Sequence, residues 1–258
     1  MPRPIVLVHG MFMTPLCWEH WVDRYGARGR TVLALPWPGR DASVPDLRGA
    51  HADPNLGELG LLAVVDHLAE MIEALPDRPV LIGHSMGGLV VQLLLQRDLG
   101  AAGVAIDSAP PSGVFSTKPS FLKSNWPMIT PLEPASRPHM ITLEEFAYAF
   151  ANTLSPDDQV VAWERYAVPE SRRVPHDSLG KAGHVDFSAP HPPLLLVAGE
   201  KDHIIPAPLN ESNFKHYRDQ ASVTEFRLYP GRDHLTITEP GWEQVADESL
   251  DWLDSHAG

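Results

Sequence analysis

Two hydrophobic periods alternate along this chain. Short, continuous apolar runs occupy residues 4–8, 31–35, 80–82, 103–106 and 194–197, each followed closely by Gly, Pro or Asp. Runs without polar alternation suit strands buried on both faces of a parallel sheet. Between them the spacing becomes helical. Leu61, Val65, Leu68, Ile72 and Leu75 step by four, three, four and three, which predicts an amphipathic helix. Leu89, Val90, Leu93 and Leu94 predict another after Met86. Shorter helices are expected over residues 18–25 and 211–217, with a closing helix over 242–253; residues 223–229 alternate as a strand should. Repeated strand–helix units predict an α/β fold: a mostly parallel sheet of about six strands with helices on both faces.

The rhythm breaks between residues 110 and 192, which carry many prolines and no clear strand. Two helices are still legible there. Thr142-Leu143-Glu144-Glu145 is a capping-box pattern, and Ser155-Pro156 supplies an N-cap followed by a first-turn proline. The expected organisation is a core made of residues 1–109 and 191–258, with residues 110–190 as a helical cap inserted before the last two strands.

Composition narrows the function classes. The 258 residues are 43% hydrophobic, enough for a sizeable core. A net charge of −13 repels phosphate backbones, so no nucleic-acid partner is expected. Cys17 is the sole cysteine and permits no intrachain disulfide. The opening MPRPIVLVHG lacks the apolar region of a secretory signal, and no apolar run approaches membrane-spanning length. The expectation is a cytoplasmic protein with no membrane span; oligomeric state is left open.

Residues 80–95 read VLIGHSMGGLVVQLLL. Gly83 and Gly87 bracket Ser85 where a strand pattern gives way to a helix pattern. The bare G-x-S-x-G spacing arises by chance in roughly one chain in ten of this size, so its position between strand and helix carries the weight. Such a turn pins the serine in a strained conformation, with its Oγ projecting beside a helix N-terminus. A serine hydroxyl needs a neutral imidazole to take its proton and an acid to orient that imidazole. His234 lies in LYPGRDHLTITEP, after the last strand pattern, and Asp202 in LLLVAGEKDHIIP. Asp233, adjacent to His234, is a weak rival acid. His9 and His84 are expected to be structural, and His203 to line the acid loop.

These segments resemble the α/β-hydrolase superfamily over nearly the whole chain: the HG after the first strand, the GHSMGG elbow, the AGEKD acid loop and the GRDH histidine loop. The resemblance implies a parent sheet of eight strands that this chain enters at the third. It also implies catalysis by Ser85, Asp202 and His234, with Asp107 as the chief rival acid because some members of the superfamily place the acid after the strand that ends there. The oxyanion donors would be the backbone N–H of Met86 and one after His9-Gly10, Met11 ahead of Phe12. Phe12, Phe146, Phe150 and Trp126 are the expected pocket residues among the apolar bulk of the cap. No HExxH, P-loop, paired-Cys or dinucleotide motif occurs, so neither metal nor cofactor is expected.

Within the superfamily, dehalogenases and most epoxide hydrolases carry aspartate where this chain has Ser85. Carbon–carbon bond hydrolases commonly have Asn where it has His84. The resemblance to small methyl-ester esterases and their hydroxynitrile-lyase relatives favours ester hydrolysis, because the lyases place lysine where this chain has Leu235. The expected activity is serine carboxylesterase action on small to medium hydrophobic esters. Lactonase, thioesterase, perhydrolase or acyltransferase chemistry on the same triad remains an alternative, as does a receptor-like binding protein with little turnover.

Overall fold

A computed structural model describes residues 2–49 and 55–257. Six strands form one sheet in the order β2-β1-β3-β4-β5-β6. They are β1 (Ile5–Val8), β2 (Val32–Leu35), β3 (Val80–His84), β4 (Gly103–Ile106), β5 (Leu194–Gly199) and β6 (Thr224–Tyr229). Every pairing is parallel, so the sheet is more uniform than the expected mostly parallel one. The four inner strands are buried at every position, whereas β2 and β6 at the edges are only partly buried. That is why inner strands read as unbroken apolar runs and β6 reads as alternating.

The strand order sets the layers. The chain moves from β1 to β2 in one direction and from β3 to β4 in the other. Right-handed crossovers then place α1 (Glu19–Ala27) and α4 (Met86–Gln96) on opposite faces. α10 (Trp242–His256) joins α1: Tyr25 Oη donates to the Ala246 carbonyl at 2.6 Å, and Trp21 Nε1 to the Ile237 carbonyl at 2.8 Å. α3 (Leu61–Glu73) packs beside α4. The order reverses between β1 and β3, and such a reversal opens a crevice at the carboxyl ends of the strands. His9-Gly10 and Ser85 both emerge there.

Residues between β4 and β5 contain α5 (Pro119–Ile129), α6 (Leu143–Ala149), α7 (Pro156–Tyr166) and α8 (Arg173–Ser178). The Thr142 capping box and the Ser155 N-cap both form. Some helical segments differ from those the sequence predicts. A 3-10 turn, Pro15–Trp18, precedes α1 and takes up Trp18; α2 (Val44–Gly49) has no periodic signal of its own; α9 begins earlier, at Ala207–His216. Pro208 sits in the first turn of α9, where a missing N–H costs nothing.

Candidate active site

Ser85 joins the last residue of β3 to the first of α4 and adopts φ 57°, ψ −123°. A non-glycine residue at positive φ is strained and must be held by its surroundings. Here the Ser85 N–H donates to the Ile106 carbonyl at 2.9 Å, while the Ser85 carbonyl accepts from Gly88 and Ala109. The flanking glycines are required by contact. A Cβ on Gly87 would lie 2.3 Å from the Val8 carbonyl oxygen, and one on Gly83 would lie 2.1 Å from that of Gly87. Gly87→Ala is therefore expected to cost about 3 kcal/mol or more in a denaturant titration. A loss below about 1 kcal/mol would mean that the turn tolerates a side chain.

The side chain of Ser85 meets His234. Nε2 of His234 accepts from Ser85 Oγ at 2.9 Å, and Nδ1–H donates to Asp202 Oδ2 at 2.6 Å. Asp202 is fixed in turn, its Oδ1 accepting the N–H groups of Ile204 (2.7 Å) and Ile205 (2.8 Å). His234 is fully buried. Burial pushes its imidazole down to about 3, which keeps it neutral and able to accept a proton at neutral pH. Burial pushes the Asp202 carboxyl up, against the pull of the two N–H donors.

The rival acids are placed otherwise. Asp107 is buried near His84 and His234, but its Oδ1 takes the Gly199 N–H at 2.6 Å and its Oδ2 has no hydrogen-bond partner among the described residues. Burial, and then the Asp202 charge, hold its carboxyl well above the usual range. Asp233 points away from the imidazole: Oδ1 accepts from Leu235 N–H, and Oδ2 from the backbone and hydroxyl of Thr153. Thr153, on the segment between α6 and α7, is a positioning contact with no local sequence signal.

The other histidines brace the site. His84 Nε2–H donates to the His234 carbonyl at 2.8 Å, and the two rings lie 4.7 Å apart. His9 bridges the Gly10 carbonyl and the Trp37 N–H while its ring stacks on Trp37. His203 donates to the Tyr148 carbonyl on α6 at 2.9 Å, tying the acid loop to the inserted helices.

The turn after β1 lies directly on the serine, since a Cβ on Gly10 would come within 2.7 Å of Ser85 Cβ. The N–H groups of Met11 and Met86 donate to no acceptor among the described residues, whereas the Phe12 N–H is taken by Glu170 Oε2 at 3.3 Å. Of the two donors considered after Gly10, Met11 is the free one.

Phe150 stands against His234, and Phe12 against Phe150. The Phe150 ring meets the imidazole edge-on at 5.0 Å and Phe12 at 6.2 Å. Two other expected pocket residues are placed differently. Phe146 is completely buried and stacks against Phe150 at 5.0 Å. Trp126 is 54% exposed on α5 and is not brought into this group.

The alpha/beta hydrolase family model matches residues 5–248. The chain belongs to that family. A monoacylglycerol lipase of Mycolicibacterium smegmatis is 27% identical to this alpha/beta hydrolase over 98% of the chain and 88% of the relative. Among solved structures, polyneuridine aldehyde esterase superimposes with a TM-score of 0.71 at 17% identity, covering 98% of this chain and 99% of its own. The Paleococcus ferrophilus monoacylglycerol lipase gives 0.67 at 20% identity, covering 99% and 97%. At these identities the superpositions establish the hydrolase fold alone. No helix of this family member is long and apolar enough, among the described residues, to cross a membrane.

Proposed function

We propose that this alpha/beta hydrolase is a serine esterase cleaving small to medium hydrophobic carboxylic esters through an acyl-enzyme. The observation that carries the reading is the unbroken hydrogen-bond chain Ser85–His234–Asp202 beside the unpaired N–H groups of Met11 and Met86. The relatives named as a lipase and an esterase support the same chemistry.

Each part has a task. Ser85 Oγ attacks the ester carbonyl carbon as its proton passes to His234 Nε2. Asp202 offsets the imidazolium charge and holds the productive tautomer. The carbonyl oxygen becomes an oxyanion that accepts from Met11 and Met86, each donor contributing about 3 kcal/mol to the transition state. Collapse breaks the acyl–oxygen bond, and the departing alkoxide takes the proton from Nε2. Water then repeats the sequence on the acyl-enzyme: His234 removes its proton, the hydroxide attacks, and Ser85 leaves with that proton restored.

Residues 110–190 act as the cap over this centre. Leu235 N–H donates to the Phe150 carbonyl, Thr153 binds Asp233, and Val168 N–H donates to the Phe12 carbonyl. Ser85, Met11, Phe12, Met86 and Phe150 are each at most 8% exposed, so Phe12 and Phe150 wall the centre off from solvent. That wall is apolar and favours uncharged acyl groups.

Each methylene that fills an apolar cavity adds about 0.8 kcal/mol, or about a fourfold gain in kcat/KM. Rates on p-nitrophenyl acetate through palmitate should therefore climb, peak at a short to medium acyl chain and then fall. Phe150→Ala should move the peak to longer chains. A flat profile, unchanged in Phe150→Ala, would remove the apolar-pocket reading. Lactones and thioesters of matched chain length, run alongside, rank the leaving groups.

A further inference from the structure

Glu170 lies between α7 and α8, far in sequence from any of the active-site loops, yet it is completely buried. Its Oε2 accepts the Phe12 N–H at 3.3 Å. Its Oε1 accepts from Arg40 Nη2 at 2.8 Å and from its neighbour Ser171 N–H at 2.7 Å. Arg40, 2% exposed, also donates to the Pro169 carbonyl at 2.6 Å. The segment carrying Glu170 is itself fixed by a two-bond bridge with His139. Phe12 is gripped from both ends, because its carbonyl accepts the Val168 N–H at 3.0 Å. Phe12 needs that grip: its φ of 62° is unfavourable for a bulky residue and reverts unless its surroundings impose it.

We propose that Glu170 is a positioning residue for the oxyanion site, acting through Phe12 on the N–H of Met11, with Arg40 neutralising the carboxylate. The inference rests on the esterase reading. By capturing the Phe12 N–H, Glu170 fixes the peptide next to Met11 and leaves Met11 as the free donor. An ionised carboxylate near a developing oxyanion would oppose catalysis by charge repulsion; the Arg40 guanidinium on the same carboxylate removes that penalty. The inserted segment thereby completes the reaction centre as well as covering it.

Glutamine cannot replace this carboxylate, because both oxygens accept. With only one amide oxygen, the substituted side chain must turn its NH₂ toward either the Phe12 N–H or the Arg40 and Ser171 donors. Glu170→Gln should lower kcat on p-nitrophenyl butyrate about 10- to 100-fold, the range for a displaced or lost oxyanion donor, with KM changed less than about threefold. Affinity for a trifluoromethyl ketone, whose serine adduct carries an oxyanion, should weaken by the same factor as kcat/KM. The double variant Arg40→Met/Glu170→Met removes the buried charge pair and should recover part of any Tm lost in Glu170→Gln, yet kcat should stay low because nothing holds the Phe12 N–H. A kcat that returns with Tm in the double variant, or a Glu170→Gln enzyme that loses only KM or nothing, would overturn the proposal. Amide hydrogen exchange at residues 10–14 separates the two readings. If the wild-type chain turns over no ester, the esterase reading fails, but exchange in this turn should still rise in Glu170→Gln. If exchange is unchanged, the clamp itself fails.

Discussion

Ser85→Ala is expected to lower ester kcat/KM by about 10⁴-fold or more while leaving the fold intact, since removing a nucleophile disables the whole unit it works in. The residue is 8% exposed, and its hydroxyl is bonded to His234 Nε2. Circular dichroism and Tm should therefore match the wild type. The same residue should be the site of covalent capture. After treatment with a fluorophosphonate, mass spectrometry should place the adduct on the peptide containing GHSMGG, and Ser85→Ala should take up none. An adduct on another serine, or a Ser85→Ala enzyme within about tenfold of wild type, would show that the chemistry lies elsewhere.

The reasons why some of this is readable from sequence differ from element to element. The inner strands are short apolar runs because helices cover both of their faces, so burial is written directly into residue type. Ser85 announces itself because glycine on either side lets α4 approach the Val8 carbonyl at Gly87 and lets β3 approach the Gly87 carbonyl at Gly83. Asp202 and His234 follow from their places after β5 and β6.

The inserted helices are harder to place. α5 contains Pro127 and α8 contains Pro175, and internal prolines read as breakers. Without a clear helical phase for α5, nothing local indicates that Trp126 faces outward. Phe146 and Phe150 read as apolar bulk, but which ring meets His234 depends on tertiary packing. Arg40–Glu170 and Thr153–Asp233 join residues 130 and 80 positions apart. A lone Glu or Thr in a loop carries no local sign of such a partner. Buried charge is a property of the assembled fold.

The choice of acid gives the second large effect. Asp202→Asn is expected to reduce kcat by about 10⁴-fold, the loss found for the same exchange in a serine protease. Both carboxylate oxygens of Asp202 accept, one from His234 Nδ1–H and the other from the N–H groups of Ile204 and Ile205. Asparagine has one oxygen. If its amide oxygen stays with the two backbone donors, its NH₂ faces Nδ1, and the imidazole must adopt the other tautomer to accept from it. Nε2 then carries a proton and cannot take one from Ser85. Asp107 is different: its Oδ1 is engaged by Gly199, and its Oδ2 is unpartnered among the described residues. Burial favours its protonated form, which asparagine resembles in shape and charge. Asp107→Asn should therefore cost less than about tenfold in kcat, the scale of a small displacement without loss of a bond to the base. The reverse ranking would move the acid to the end of β4. The double variant decides a third case: if Asp202→Asn keeps most of its rate and Asp107→Asn/Asp202→Asn loses it, then Asp107 stands in for Asp202. That outcome is not expected, because Asp107 Oδ2 makes no hydrogen bond to His234 and its Oδ1 is held by the backbone of β5.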